Sequence, residues 1–229
     1  PTITFNGQVY ENMFPKPSRK YNAVTFKAEK RYSVEQPWRA LGSYTWSQLK
    51  GNYEGYFRRD NGQSDPFITS LFDFPYLRDP DIFRHLSADG LLPNDRQHVF
   101  NVFGSYTWPM GLTLGSSVRV QTGIPVTPLG YNEAYGSDGE IPLEERGSRG
   151  RTPTTTDIGL HADYAIQAGT RQVEVIADVF NLLNNQKGSD YDMRYELGGT
   201  GPANLNPDFS EPNEYERPLS FRFALRVVQ

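Results

Sequence analysis

Apolar and polar residues alternate with a period of two along most of the chain. Between 22 and 32, Val24, Phe26 and Ala28 share one parity, and Thr25, Lys27, Glu29 and Arg31 share the other. Between 98 and 108, Phe100, Val102, Gly104, Tyr106 and Trp108 oppose Asn101, Phe103, Ser105 and Thr107. Between 171 and 183, Val173, Val175, Ala177 and Val179 oppose Glu174, Ile176 and Asp178. Between 219 and 228, Phe221, Phe223, Leu225 and Val227 oppose Arg222 and Arg226. Segments 38–46, 112–122 and 157–166 behave in the same way. A strand whose successive side chains enter two different environments produces this period. The pattern predicts an all-β fold of about seven strands in an antiparallel up-and-down meander, with no helix.

The connections carry a second pattern. Ser33–Pro37, Pro109–Gly111 and Gln167–Thr170 are short and rich in turn formers, as tight hairpins require. The alternate connections are long. The chain therefore divides into a loop at 1–20, a hairpin at 21–46, a loop at 47–95 and a hairpin at 96–122. A loop at 123–155, a hairpin at 156–183, a loop at 184–218 and a last strand at 219–229 follow. Short turns at one end and long loops at the other are the layout of an outer-membrane barrel, whose long loops are extracellular. A soluble sandwich with one buried face shares the alternation, but loops of such length are uncommon in compact domains.

Composition sharpens this reading. The 229 residues carry 23 Lys+Arg against 27 Asp+Glu, without the basic excess that nucleic-acid binding needs. No cysteine is present, so neither a disulfide framework nor a thiolate metal site is available. No apolar run approaches the roughly 20 residues of a transmembrane helix, while barrel strands hide their lipid face in alternation. Aromatics make up 14%, and many fall at strand ends: Tyr32, Trp38, Trp46, Tyr106, Trp108 and Tyr164. At about 3.3 Å per residue and a tilt of about 45°, Trp38 to Trp46 spans roughly 19 Å along a membrane normal. That approaches the height of a lipid-facing band between two aromatic girdles.

Tyr21-Asn22-Ala23 with Glu29–Tyr32 and Gly42–Ser47, Asp95–Phe100 with Gly104–Thr107, Asp178–Asn184 and Pro218–Arg226 follow one another along the chain, and together they resemble segments of TonB-dependent outer-membrane receptors, most closely their Oar-like subgroup. The first group resembles a late hairpin of these barrels and the second the strand after it. Asp178–Asn184 resembles the penultimate strand, and Pro218–Arg226 the last. The resemblance implies the C-terminal segment of a transmembrane β-barrel of about 22 strands with an N-terminal plug, energised through TonB. The chain is then expected to be a fragment, with partners in the lipid bilayer, in the remainder of the barrel and in the plug. TonB would be engaged only through the missing parts. The family usually ends on an aromatic residue of lipid-facing parity, and here that parity falls on Gln229. A second reading is a structural barrel segment whose edges pair with other envelope proteins. A soluble β-rich surface-binding module is a third.

The residues suggest no catalysis. His85, His98 and His161 lack metal-ligand spacing, and no nucleophile elbow or dinucleotide fingerprint occurs. Gly198–Gly201 follows no strand and opens no helix, so it reads as loop flexibility. No catalytic, cofactor or metal residues are therefore assigned, and the loop carboxylates lack the spacing of a calcium loop. Two aromatic and arginine-rich loop stretches provide the candidate ligand or partner residues: Tyr53, Tyr56, Arg58, Arg59, Tyr76 and Arg78. Packing of the loops on one another is the simpler account of such aromatics, because loops this long need a small core of their own. The charges expected on a lumen wall are Lys27, Glu29, Arg31, Arg119, Asp157, Asp163, Glu174, Asp178, Arg222 and Arg226, with His161 beside them. Aligning the ends of the last two strands places Glu174 opposite Arg226 and Asp178 opposite Arg222.

Overall fold

The computed structural model describes residues 2–5, 8–11, 17–55, 60, 62, 89–133 and 136–228. Its strands are β1 (Thr2–Phe5), β2 (Gln8–Glu11), β3 (Arg19–Lys30), β4 (Trp38–Gly51), β5 (His98–Thr107), β6 (Leu112–Gln121) and β7 (Leu129–Asn132). β8 (Ser137–Pro142), β9 (Thr155–Ala168), β10 (Arg171–Phe180), β11 (Gly188–Tyr191), β12 (Pro212–Tyr215) and β13 (Ser220–Val228) follow. Seven of them form one antiparallel sheet in the order β3-β4-β5-β6-β9-β10-β13. Each strand pairs with the next large strand in the chain, as a meander requires.

The sequence pattern locates these seven strands to within a few residues at their ends. The long connections are more ordered than their lack of period suggests. The segment 1–20 holds the β1–β2 hairpin and the start of β3. The segment 123–155 holds the β7–β8 hairpin. The segment 184–218 holds β11 paired with β12 and a single 3-10 turn at Pro202–Asn204. Gly201, at φ 85°, directly precedes that turn, so the glycine run does lead into helical backbone, although only one turn of it. β4 extends to Gly51, beyond the hairpin boundary at 46. β10 stops at Phe180, where Asn181 takes a positive φ of 49° and turns the chain.

The tight turns are specified locally. β9 and β10 close through Gly169 and Thr170, with Ala168 opposite Arg171. Gly169 has φ 64° at the first central position, which a type II′ turn reserves for glycine. Gly111 has φ 88°, and a Cβ there would lie 2.8 Å from the Ala165 carbonyl oxygen. These turns hold the register that places apolar residues opposite apolar ones. Across five strands Ala28, Gly42, Val102, Val118 and Ile158 form one such row. Trp38, Tyr106, Leu114, Ala162, Ala177 and Phe223 form another.

The apolar face of the sheet is not the core. Phe223 is 77% exposed and Leu225 74%, and Val24, Phe26, Trp38, Trp46, Phe100, Leu114, Leu160 and Tyr164 are exposed with them. Among the described residues no second sheet packs on either face. The buried hydrophobic residues lie at the long-loop end instead: Leu49, Leu92, Ile124, Val126, Leu129, Ile141, Tyr191 and Met193. A water-exposed apolar face of this extent is unusual for a soluble monomer.

Candidate functional site

The opposite face of the sheet is polar, and its charges are paired most densely on β9, β10 and β13. The β10–β13 register sets Glu174 against Arg226 and Asp178 against Arg222, as the charge pattern requires. The Arg222 Nε donates to Asp178 Oδ2 at 2.9 Å, and Arg226 donates to Glu174. The carboxylates are sheltered and the guanidinium groups are not: side-chain exposure is 8% at Asp178 against 65% at Arg222. A pair this open on one side contributes modestly, about 0.2–1 kcal/mol.

Asp178 has a further partner. β9 places His161 directly opposite it, and His161 Nδ1 lies 2.7 Å from Asp178 Oδ1. The other ring nitrogen of His161 is 3.4 Å from Asp163. Asp163, His161, Asp178 and Arg222 thus form one network across three strands. The sequence placed His161 on this face by parity, but only the β9–β10 register reveals its carboxylate partners. Glu174 also accepts a hydrogen bond from Gln172 Nε2 at 3.1 Å.

The remaining polar-face residues divide. Lys27, Ser43, Asn101, Arg119 and Asp157 share one rung of the sheet. Arg31 lies beyond the end of β3, not on the strand, and donates to Glu29 at 2.8 Å with both side chains exposed. It belongs to the turn because the strand ends at Lys30, before the Ser33–Gln36 hydrogen bonds close the chain reversal. Small residues, Gly115, Ser117 and Gly159, leave a trough on this face beside His161 and Asp178. Leu41 and Phe103 oppose each other within it and are both exposed.

At the long-loop end the connections pack into a layer of their own. Ile124, Val126, Leu129, Tyr191 and Met193 form its apolar centre, with Phe209 packed against it. Arg146 is fully buried and pairs with Glu54 and Asp60. Arg151 pairs with Asp95, whose other carboxylate oxygen accepts from the Leu49 backbone N–H. Asp192 accepts from Arg194 at 2.7 Å and from Asn206 at 3.1 Å. Burial acts to raise the Asp192 carboxyl, but the Arg194 side chain and backbone N–H and the Asn206 amide outweigh it and hold it below the usual range. Hydrogen bonds from Arg149 and then Ser148 lower Glu144 likewise. Burial pushes the Tyr191 hydroxyl up. No sequence period marked this layer.

Of the candidate loop residues, Tyr53 is half-buried just past β4, its N–H donating to the Ser18 carbonyl at 3.3 Å. Tyr56, Arg58, Arg59, Tyr76 and Arg78 lie outside the described residues, as does His85. His98 sits at the start of β5, its Nδ1 2.8 Å from the Tyr44 hydroxyl. Among the described residues no cluster of three or more His, Asp or Glu side chains is arranged to hold a metal ion.

A scan against models of known protein families gives no match. Among curated proteins, the chain is similar to the TonB-dependent transporter Oar of Myxococcus xanthus. The two are 33% identical over 261 aligned positions, covering 97% of this chain and 24% of that transporter. The chain thus spans about a quarter of the length of the relative it matches.

Proposed function

Because the chain belongs to the TonB-dependent transporter family, we propose that it forms part of the wall of an outer-membrane receptor for a large or scarce substrate. The observation that carries this reading is the two-faced sheet. One face presents Val24, Phe26, Trp38, Phe100, Leu114, Phe223 and Leu225 without cover, and the other carries the Asp178–Arg222 and Glu174–Arg226 pairs. A membrane barrel needs that division, with lipid outside and a polar lumen inside. In this reading the lumen wall consists of Lys27, Glu29, Arg119, Asp163, Glu174, Asp178, Arg222 and Arg226, with Arg31 at its periplasmic rim. Tyr53, just past β4, stands at the extracellular mouth. The role is transport, not catalysis.

Among the described residues both outer strands, β3 and β13, have a large-strand neighbour on one side only. In lipid each unpaired backbone group costs several kcal/mol, so further strands of the barrel must pair with these edges. A plug inside the lumen and TonB at the periplasmic side complete the transporter in this reading.

The test is fractionation of the full-length protein. It is expected in the outer membrane, requiring detergent for extraction and migrating faster on a gel before heating than after. Uptake through it is expected to stop when the TonB energy supply is removed. A protein recovered without detergent as a monodisperse monomer would overturn the proposal.

A further inference from the structure

The outward face of β3 and β4 changes character in steps towards the long-loop end. Trp46 lies opposite Val24, Gln48 opposite Asn22, and Lys50 opposite Lys20. Apolar residues thus give way to an amide pair and then to two ammonium groups, all of one parity. No carboxylate occurs at this parity on either strand: β3 presents Lys20, Asn22, Val24, Phe26, Ala28 and Lys30, and β4 presents residues from Trp38 to Lys50. Lys20 and Lys50 are exposed, and no side-chain hydrogen bond or ion pair joins either ammonium group to a described residue. On its other side Lys50 bridges to Leu91, which brings no charge.

Like charges directly opposite each other weaken a strand pair unless an anion lies between them. The position indicates which anion. Trp46 marks the aromatic girdle at headgroup level. Four residues further along a strand tilted by about 45°, Lys50 stands roughly 9 Å above the indole. Lysine stems lie along apolar surface with the ammonium held in the polar zone, so both can reach down to that level. The long-loop end faces the outside of the cell, so the leaflet at this height is the outer one.

We propose that Lys20 and Lys50 clamp a phosphate-bearing headgroup of an outer-leaflet glycolipid, with Asn22 and Gln48 donating beneath it. The inference rests on the outer-membrane reading above and adds a lipid site on the barrel's outer wall, away from the lumen. It commits to phosphate carried by lipid, held where Trp46 contacts the acyl chains.

The experiment uses the full-length protein in nanodiscs of phosphatidylethanolamine doped with bis-phosphorylated lipid A, read by native mass spectrometry. Lys20→Gln/Lys50→Gln is compared with the wild type and with Lys27→Gln, which lies on the other face of β3. Retention of lipid A is expected to fall about thirtyfold in the double variant, as loss of two lysine contacts with an anionic surface implies. Lys27→Gln is expected to behave as wild type. Lipid A stripped of phosphate is expected to bind wild type and double variant equally weakly, and millimolar inorganic phosphate is expected not to compete. Unchanged retention in the double variant overturns the proposal, and so does equal retention of the dephosphorylated lipid. Displacement by inorganic phosphate overturns the commitment to lipid. Should the double variant fail to show the gel shift of a folded barrel, Lys50→Gln alone is read by the same criteria. The gel shift and detergent dependence of the wild type test the membrane reading separately.

Discussion

Arg222 of β13 and Asp178 of β10 stand directly opposite each other, with the guanidinium Nε 2.9 Å from the carboxylate. The contact fixes more than one pair. A slip of one residue would send Arg222 and Arg226 to the face that carries Phe221 and Phe223, at about 2–4 kcal/mol each near a bilayer midplane. Charge and parity therefore define one register together.

Asp178 is hydrogen-bonded to two side chains, Arg222 and His161, whereas Arg222 has one hydrogen-bonding side chain, Asp178, and otherwise lies over the Phe180 ring at 5.5 Å, so their removal should be unequal. Asp178→Ala is expected to destabilise the barrel more than Arg222→Ala, because His161 loses its acceptor as well. A double-mutant cycle between Arg222 and Asp178 should give a coupling of about 0.2–1 kcal/mol. Urea unfolding of the full-length protein in detergent measures both. Equal single-mutant effects would show that His161 does not share Asp178.

The loop layer depends on a buried cation. Arg146→Met leaves Glu54 and Asp60 facing each other without it. Removing one member of a buried ion pair costs about 3–5 kcal/mol. Faster proteolysis of the loops is expected, while the gel shift of the folded barrel persists, because Arg146 lies outside the sheet. Loss of the gel shift as well would show that loops and barrel fold as one unit.

Asp192 should make the same layer acid-sensitive. Its carboxyl titrates lower in the folded protein than in the unfolded chain. The stabilisation it brings is thus complete above the ordinary carboxylate value of about 3.9 and is lost as pH falls through the lower folded value. Hydrogen exchange around Asp192, Arg194 and Asn206 is expected to quicken below that range. Asp192→Asn should exchange faster at neutral pH and respond less to acid. A variant with the wild-type acid response would assign the effect to another group.

Substitutions on β13 should divide by parity. Phe223→Arg is expected to lower stability by about 2–4 kcal/mol, while Ala224→Arg on the polar face is tolerated. Yield of heat-modifiable protein in the outer membrane reads this directly. Equal yields from the two variants would remove the distinction between the faces.

How much of this could be read from the chain depended on where physical constraint recurs locally. The seven large strands were legible because the two faces force a period of two on every one of them. The β10–β13 register was legible because Glu174, Asp178, Arg222 and Arg226 leave few ways to pair four charges on one face. His161 was placed on the correct face but without its partners, since these depend on the β9–β10 turn geometry. The loop layer was not legible. Leu129 and Met193 are almost fully buried and Arg146 is buried with Glu54, yet these contacts join residues far apart in sequence. No short-range period records them, and the same lack of period made the β7–β8 and β11–β12 pairs read as plain loop.

The central claim is that one face of this sheet meets lipid and the other a watery lumen. Site-directed spin labels along β6, in the middle of the sheet, test it most directly in the full-length protein within native outer membranes. Labels at Leu114, Val118 and Val120 should be accessible to dissolved oxygen and shielded from a water-soluble nickel chelate. Labels at Thr113, Ser117 and Arg119 should show the reverse, or contact a plug that excludes both reagents. Nickel access at Leu114, Val118 and Val120, or oxygen access that does not alternate along the strand, would contradict the account.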